Sequence, residues 1–336
     1  MSTRDITLVT GASGFLGTHL VEQLLADGVR VRGLVRSASR AARSLPSGVE
    51  IVEGDVTDRD SVRRAMQDVA VVQHMASTFR TAKVPAAVHR AVHVDGTRIV
   101  LEEATQAGVD RVVHTSTCGV HGDVKSIPGT ETSPYAPGDA YQITKLEGEQ
   151  LALAYGREHG LAVSVVRPTT MYGPGDLRLL KMFRGIARRR FPIIGSGNVL
   201  THFAYVTDVV QGLTLAASAP AAVGEPFLIG GNESRTLNDV VAMIASALDT
   251  EPLNVRLPVW PFYVAGVACE VACMPFGIEP PIFRRRVAFF TKNRAFSVDK
   301  ARRLLGYEPR VGLEEGIRET ARWYASEGLL GPSRHE

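Results

Sequence analysis

Cysteine is scarce in this chain of 336 residues. The three that occur, Cys118, Cys269 and Cys273, are too few and too irregularly spaced for a disulfide framework, and they fit a reducing compartment. A dominant sign of charge is also missing: 38 basic residues stand against 35 acidic ones, a formal +3, which gives no footing for a nucleic-acid partner. Metal-ligand spacing is absent as well. His89 and His93 lie one helical turn apart but have no Glu between them and no evident third ligand, so both read as non-metal. There is no internal repeat and no low-complexity tract. The most apolar stretch, 257–277, is interrupted by Pro261, Glu270 and Pro275, which argue against a transmembrane span. Residues 1–5 are polar and lead straight into an apolar run, so no secretory or transit segment is expected and the chain reads as cytoplasmic.

What is present begins at that apolar run. Ile6-Thr7-Leu8-Val9 reads as a strand and is followed by Thr10-Gly11-Ala12-Ser13-Gly14-Phe15-Leu16-Gly17. The spacing then becomes helical, with Leu16, Leu20, Val21 and Leu24 on one face. Strand, glycine-spaced turn and helix together form a phosphate cradle. Glycines let backbone approach a pyrophosphate, and the helix start presents free N–H groups and the positive end of its dipole. Gly11, Ser13, Gly14, Phe15, Leu16 and Gly17 are therefore candidate dinucleotide contacts.

A second strand covers 29–36. Selection of NAD would place an acid near its end, yet no Asp or Glu occurs between Gly28 and Gly48. Arg36 and Arg40 stand there instead, suited to a 2′-phosphate, so NADP(H) is favoured; a solvated basic loop is the alternative. A third strand over 49–56 brings Asp55, with Val56 beside it, to an edge where Asp55 can accept from an adenine amino group or precede the helix that starts near Asp58. A fourth strand over 69–76 ends at Ala76, facing the cofactor. A helix over 85–107, a fifth strand over 111–117 and a helix from Tyr141 to about residue 160 follow. A sixth strand, 161–167, leads into Pro168-Thr169-Thr170.

Such βα units predict an α/β fold, a Rossmann-type doubly wound parallel sheet with a smaller, mostly C-terminal α/β substrate lobe. The expected division is a dinucleotide-binding domain over 1–176, with segments from about 200–230 rejoining the sheet, and a mainly substrate-binding lobe over 177–336. Within the lobe, helices are expected over 177–190 and 236–248, and the closing helix should turn Trp323 inward. The 257–277 stretch admits three readings: buried packing, the wall of a greasy pocket, or contact with a membrane interface beside Arg284-Arg285-Arg286.

Tyr141 and Lys145 are four apart and share a helix face. An ammonium near a phenol favours the phenolate, which suits Tyr141 to exchange a proton with a carbonyl or alcohol. Thr117 or Ser116, at the end of the fifth strand, can hold the reacting oxygen.

With these residues in view the chain resembles an extended short-chain dehydrogenase/reductase of the epimerase/dehydratase superfamily, in its 3β-hydroxysteroid dehydrogenase-like branch. The likeness runs from Thr10-Gly11 to Leu305-Gly306-Tyr307. It implies that Tyr141 is the acid/base, Lys145 its partner, Thr117 the hydroxyl residue with Ser116 as second choice, and that Pro168 and Thr170 neighbour the nicotinamide. It also implies a homodimer built on paired helices. Where the family usually has Asn before Val94-Asp95-Gly96-Thr97, this chain has His93. Members that act on nucleotide sugars carry an Asn after the sixth strand and an Arg where Thr201 stands; neither is present. A small hydrophobic, steroid- or sterol-like alcohol or ketone is thus the favoured substrate. A nucleotide-sugar epimerase or dehydratase and a non-catalytic NADP-sensing regulator are the alternatives.

Overall fold

The computed structural model describes residues 5–78, 84–273 and 284–331, with side chains described except at 270–273 and 284–286. In chain order the strands are β1 (Ile6–Thr10), β2 (Arg30–Val35), β3 (Glu50–Glu53), β4 (Val69–His74), β5 (Arg111–Thr115), β6 (Val163–Pro168), β7 (Thr170–Tyr172), β8 (Ile193–Ile194), β9 (Leu200–Tyr205), β10 (Pro226–Ile229), β11 (Ser234–Thr236) and β12 (Arg256–Leu257). The helices are α1 (Phe15–Ala26), α2 (Ala38–Ala41), α3 (Arg59–Ala65), α4 (Ala86–Arg90), α5 (Gly96–Ala107), α6 (Ala140–His159), α7 (Leu180–Ala187), α8 (Val206–Ser218), α9 (Leu237–Ala247), α10 (Val259–Cys273), α11 (Arg284–Thr291), α12 (Asp299–Leu305) and α13 (Leu313–Ser326).

Strands apolar on both faces need cover on both faces, and β1 shows it: every residue is buried. Ile6 and Leu8 enter one hydrophobic cluster with Val62, Val100, Leu101 and Ala152 from α3, α5 and α6. Val9 enters the other, with Leu16, Leu20, Val209 and Leu213 from α1 and α8. The result is a seven-stranded sheet in the order β3-β2-β1-β4-β5-β6-β10, parallel throughout. This is a Rossmann-type doubly wound fold. Strand order reverses between β1 and β4, where ligands of open α/β sheets bind beyond the carboxyl ends.

Local chemistry sets the helix ends. Asp139 caps α6 by accepting from the Gln142 N–H at 2.9 Å, and Gly160, at φ 70°, ends it. A cap of this kind is worth about 1 kcal/mol. Thr236 and Asp239 form a reciprocal capping box on α9.

Several expectations are corrected. The helix over 85–107 is α4 and α5 joined by a π-helical turn at Ala91–Asp95. Of the 200–230 segment, β10 joins the large sheet, whereas β9 pairs with β7 and β11 in a separate three-stranded sheet. The helix over 177–190 shortens to α7, because the Asp176 carboxylate takes the N–H groups of Arg178 and Leu179 and delays its start. In α13, Ile317, Ala321 and Tyr324 set the buried phase, so Tyr324 points inward and Trp323 packs half-buried at its side. Tyr324 donates its hydroxyl to the Asp176 carbonyl at 2.6 Å. These residues, with Phe183, Leu237 and Ile244, make a third cluster for the smaller lobe. Residues 274–277 of the apolar stretch lie outside the described residues. Among those described, no helix is long and apolar enough to cross a membrane.

Candidate active site

The glycine turn is shaped by close approach. Gly11 has φ +75°, and a Cβ there would lie 3.2 Å from the Ala76 backbone at the end of β4. A Cβ on Gly17 would sit 2.2 Å from the Gly11 carbonyl oxygen, which permits nothing larger than hydrogen. Gly14 is the N-cap of α1 with no side-chain cap, so first-turn N–H groups are left for an anion. Ser13 and Gly14 are exposed and Phe15 is half-buried; the Leu16 side chain goes into the core, leaving its backbone to face a ligand.

Beyond β2, Arg36 and Arg40 are exposed. Between them a carboxylate arrives from the neighbouring strand: Glu53 accepts from the Ala38 N–H at 2.8 Å. Sequence reasoning missed it, since it rests on the pairing of Val35 with Glu53 across β2 and β3. Asp55 uses one oxygen on the N–H and hydroxyl of Thr57, while the Val56 side chain is core. The cap of α3 is Asp58, and Asp55 lies just before it, its carbonyl accepting from the Ser61 hydroxyl within that helix.

Tyr141 and Lys145 rise from the first turns of α6. Lys145 is 3 % exposed, and its ammonium donates to the Thr115 carbonyl at the end of β5. Burial pulls its pKa down to about 8, against the opposing pull of Glu149 one turn along. Glu149 is itself fully buried and pairs with fully buried Arg167, which also donates to the Glu131 carbonyl, His121 and the Tyr135 hydroxyl. The Tyr141 ring is flanked edge-on by His93 at 5.2 Å and His89 at 5.8 Å.

A hydrogen-bond chain ties this helix to the glycine turn. The Thr10 hydroxyl accepts from the N–H groups of Met75 and Ala76, both at 3.1 Å, and so donates to His74 Nδ1 at 2.9 Å. His74 then carries its proton on Nε2 and gives it to Thr97 Oγ1 at 3.0 Å, which donates to the His93 carbonyl. His93 Nε2 accepts from the Thr78 N–H, so Nδ1 donates to Thr144 Oγ1 at 2.9 Å, next to Lys145. Burial first, and the Lys145 charge second, hold both imidazoles neutral, with pKa values lowered to about 3 for His74 and about 2 for His93. Thr97 and Thr144 look like ordinary helix residues in sequence, and nothing local marks them.

At the strand ends the hydroxyls differ. Thr117 Oγ1 accepts from the Gly119 N–H at 3.1 Å. Ser116 is 4 % exposed and its Oγ, like those of Thr115 and Thr169, has no partner among the described residues. A buried unpartnered hydroxyl costs about 1–3 kcal/mol, which a bound polar atom would offset. These orphaned groups, with the uncapped helix start and the glycine cradle, fit a dinucleotide whose reactive end lies near β5 and β6. Pro168 closes β6 and is buried, while Thr170 opens β7 and is half-buried.

A doubly wound parallel sheet opened by this glycine-spaced turn defines a dinucleotide-binding fold. The chain belongs to the NAD dependent epimerase/dehydratase family, whose model matches residues 7–230, within the extended short-chain dehydrogenases/reductases of the 3β-hydroxysteroid dehydrogenase-like branch. It is 32 % identical to the decarboxylating sterol-4-alpha-carboxylate 3-dehydrogenase of Saccharomyces cerevisiae, over 98 % of this chain and 100 % of that one. It is 31 % identical to a 4-hydroxy-2-methyl-3-oxo-4-farnesyl-3,4-dihydroquinoline-1-oxide ketoreductase of Stigmatella aurantiaca, covering 93 % and 94 %. Among solved structures, UDP-glucose 4-epimerase of Thermotoga maritima superposes with TM-score 0.78 at 25 % identity, over 96 % of this chain and 99 % of that one. The chain is therefore an NAD(P)-dependent oxidoreductase.

Proposed function

We propose that this protein interconverts a secondary alcohol and a ketone on a hydrophobic, sterol-like or other polycyclic substrate, with NADP(H) as the cofactor. The observation that carries the reading is the enclosed Lys145 ammonium one turn from Tyr141, donating to the carbonyl of Thr115, next in sequence to Ser116, whose buried hydroxyl has no partner among the described residues. When bound, the dinucleotide supplies or accepts a hydride. Gly11, Ser13, Gly14, Phe15, Leu16 and Gly17 would hold its pyrophosphate, Asp55 and Val56 its adenine, Arg36 and Arg40 a 2′-phosphate, and Ala76, Pro168 and Thr170 its nicotinamide end. Tyr141 gives its proton to the carbonyl oxygen, and Lys145 stabilises the phenolate that remains. Thr117, whose hydroxyl proton stays available while its oxygen accepts from Gly119, or Ser116, orients that oxygen.

The apolar substrate class is supported by the sterol and farnesyl-quinoline relatives. It is supported too by Thr201, which is buried, neutral and donates to the Arg235 carbonyl at 3.2 Å. A second reading, a nucleotide-sugar epimerase or dehydratase, has the likeness to the solved UDP-glucose 4-epimerase in its favour. A homodimer in the cytoplasm completes the proposal, with light scattering as the check on assembly.

The test is Tyr141→Phe with a panel of sterol, flavonoid and other polycyclic ketones. Turnover falls on the order of 10²–10⁴-fold while NADPH still binds in a fluorescence titration, more tightly than NADH. Full activity in the variant would overturn the mechanism. Cofactor that stays bound with no net consumption would select the second reading.

A further inference from the structure

The acid that the sequence lacks at the end of β2 is delivered there by β3. Gly33 lets β2 pass tightly beneath the glycine turn, since a Cβ there would lie 3.0 Å from the Ala12 methyl. Two residues on, about 7 Å along the strand, Val35 pairs with Glu53. The Gly54 N–H then donates to the Val35 carbonyl at 2.9 Å and extends the ladder past that pair. Ile51 packs on the cluster that holds α1. Side chains alternate along a strand, so Glu53 stands on the same face of the sheet, the one occupied by α1 and its uncapped start.

One oxygen of Glu53 accepts from the Ala38 N–H at 2.8 Å, and the other has no partner among the described residues. Arg36 and Arg40, on either side of Ala38 in sequence, are exposed, and neither forms an ion pair among the described residues. Nearby acids are engaged elsewhere: Glu50, at the far end of β3, pairs with Arg32 at 2.9 Å, and Asp55 binds Thr57. The β2–α2 loop thus presents groups of opposite preference. A guanidinium binds phosphate, whereas a carboxylate oxygen accepts from the hydroxyls of an unmodified ribose and repels a phosphate on it.

We propose that Glu53 is a specificity-determining residue: it is the ribose acceptor that β2 lacks, so the adenosine site takes NADH as well as NADPH. Arg36 and Arg40 draw the site toward a 2′-phosphate, and Glu53 draws it toward the free hydroxyl. The preference for NADPH is then narrow, because it is the difference between two opposed attractions. This rests on the reading that a dinucleotide lies in the glycine cradle with its adenosine ribose beyond β2. Tying down the loop would require only an acceptor for Ala38, which a neutral amide also offers. The charge of Glu53 matters to what binds beside it.

Glu53→Gln separates the two roles, since its amide oxygen can still accept from Ala38. Binding is read by fluorescence titration with NADH and NADPH, and by calorimetry with ADP and its 2′-phosphorylated form, probes that carry no nicotinamide. The expected result is a Kd for NADH and for ADP raised about tenfold, with the Kd for both 2′-phosphorylated ligands unchanged or lowered and the melting curve unmoved. A ratio of NADH to NADPH affinity that stays as in the wild type overturns the proposal, whether both ligands weaken together or neither moves. So does a wild-type protein with no measurable affinity for NADH. Arg36→Ala with Arg40→Ala tests the 2′-phosphate reading separately, and should weaken NADPH while leaving NADH alone. Indifference of NADPH to that pair, with Glu53→Gln acting on NADH as expected, would strike the NADP(H) reading and uphold the role of Glu53, so the two failures are told apart.

Discussion

An enclosed ammonium is costly to keep charged, and at Lys145 the cost shows as a pKa lowered to about 8 by burial, with Glu149 pulling the other way. If this charge supports the Tyr141 phenolate, its loss sets a limit on catalysis. In ketone reduction, kcat/KM for NADPH, which reports groups of the free enzyme, should fall as the pH rises through about 8. Lys145→Arg, with a charge that does not titrate in this range, should remove that limb even where the rate itself is lower. A profile flat to pH 10 in the wild type would show that Lys145 does not govern the rate. The same residue also illustrates what spacing alone can reveal. A Tyr and a Lys four apart are legible in sequence, whereas the enclosure that moves the lysine depends on Thr115, Glu149 and the far side of β5.

Among the elements, the β1–α1 turn was the most legible, because its glycines answer to local geometry. Gly17→Ala would set a Cβ at 2.2 Å from one backbone oxygen and 2.6 Å from another. Backbone cannot yield as a flexible side chain does. The expected outcome is a loss of about 1–3 kcal/mol in denaturant melts and weaker NADPH binding, read by fluorescence titration. The helix over 85–107 was legible as a helix but not as one with a π-helical turn. That turn surrounds His93, where the family usually has Asn, and the imidazole bridges Thr78 to Thr144. Likewise the seat of β9 in a second sheet could not be read from its sequence, since a short apolar strand carries no mark of its partner.

At the scale of the molecule, buried neutral histidines link folding to pH. His74 and His93 have folded pKa values of about 3 and about 2, below the 6.5 of the unfolded chain. Between these limits the unfolded state binds more protons, so stability is present above pH 6.5 and is lost as the pH falls below it. Together the two contribute a slope of up to about 2.7 kcal/mol per pH unit. Urea melts between pH 7 and pH 5 should show this acid-side loss, and His74→Asn should flatten it. The network also joins β1, β4, α5 and α6, so acid would loosen the glycine turn and the helix that bears Tyr141 together.

By itself, the sequence determined the period of each strand and helix, the glycine cradle, the Tyr141–Lys145 face and the absence of an acid after β2. These follow from contacts within a few residues, where spacing is geometry. Tertiary structure alone decided that Glu53 reaches the loop of Arg36 and Arg40, that Arg167 and Glu149 pair out of water, that Thr10 speaks to Thr144 through two imidazoles, and that α10 turns its large residues outward. Each depends on which strands become neighbours and how helices are phased against them. That is settled by burial across the whole core, where distant parts of the chain compete for the same partners.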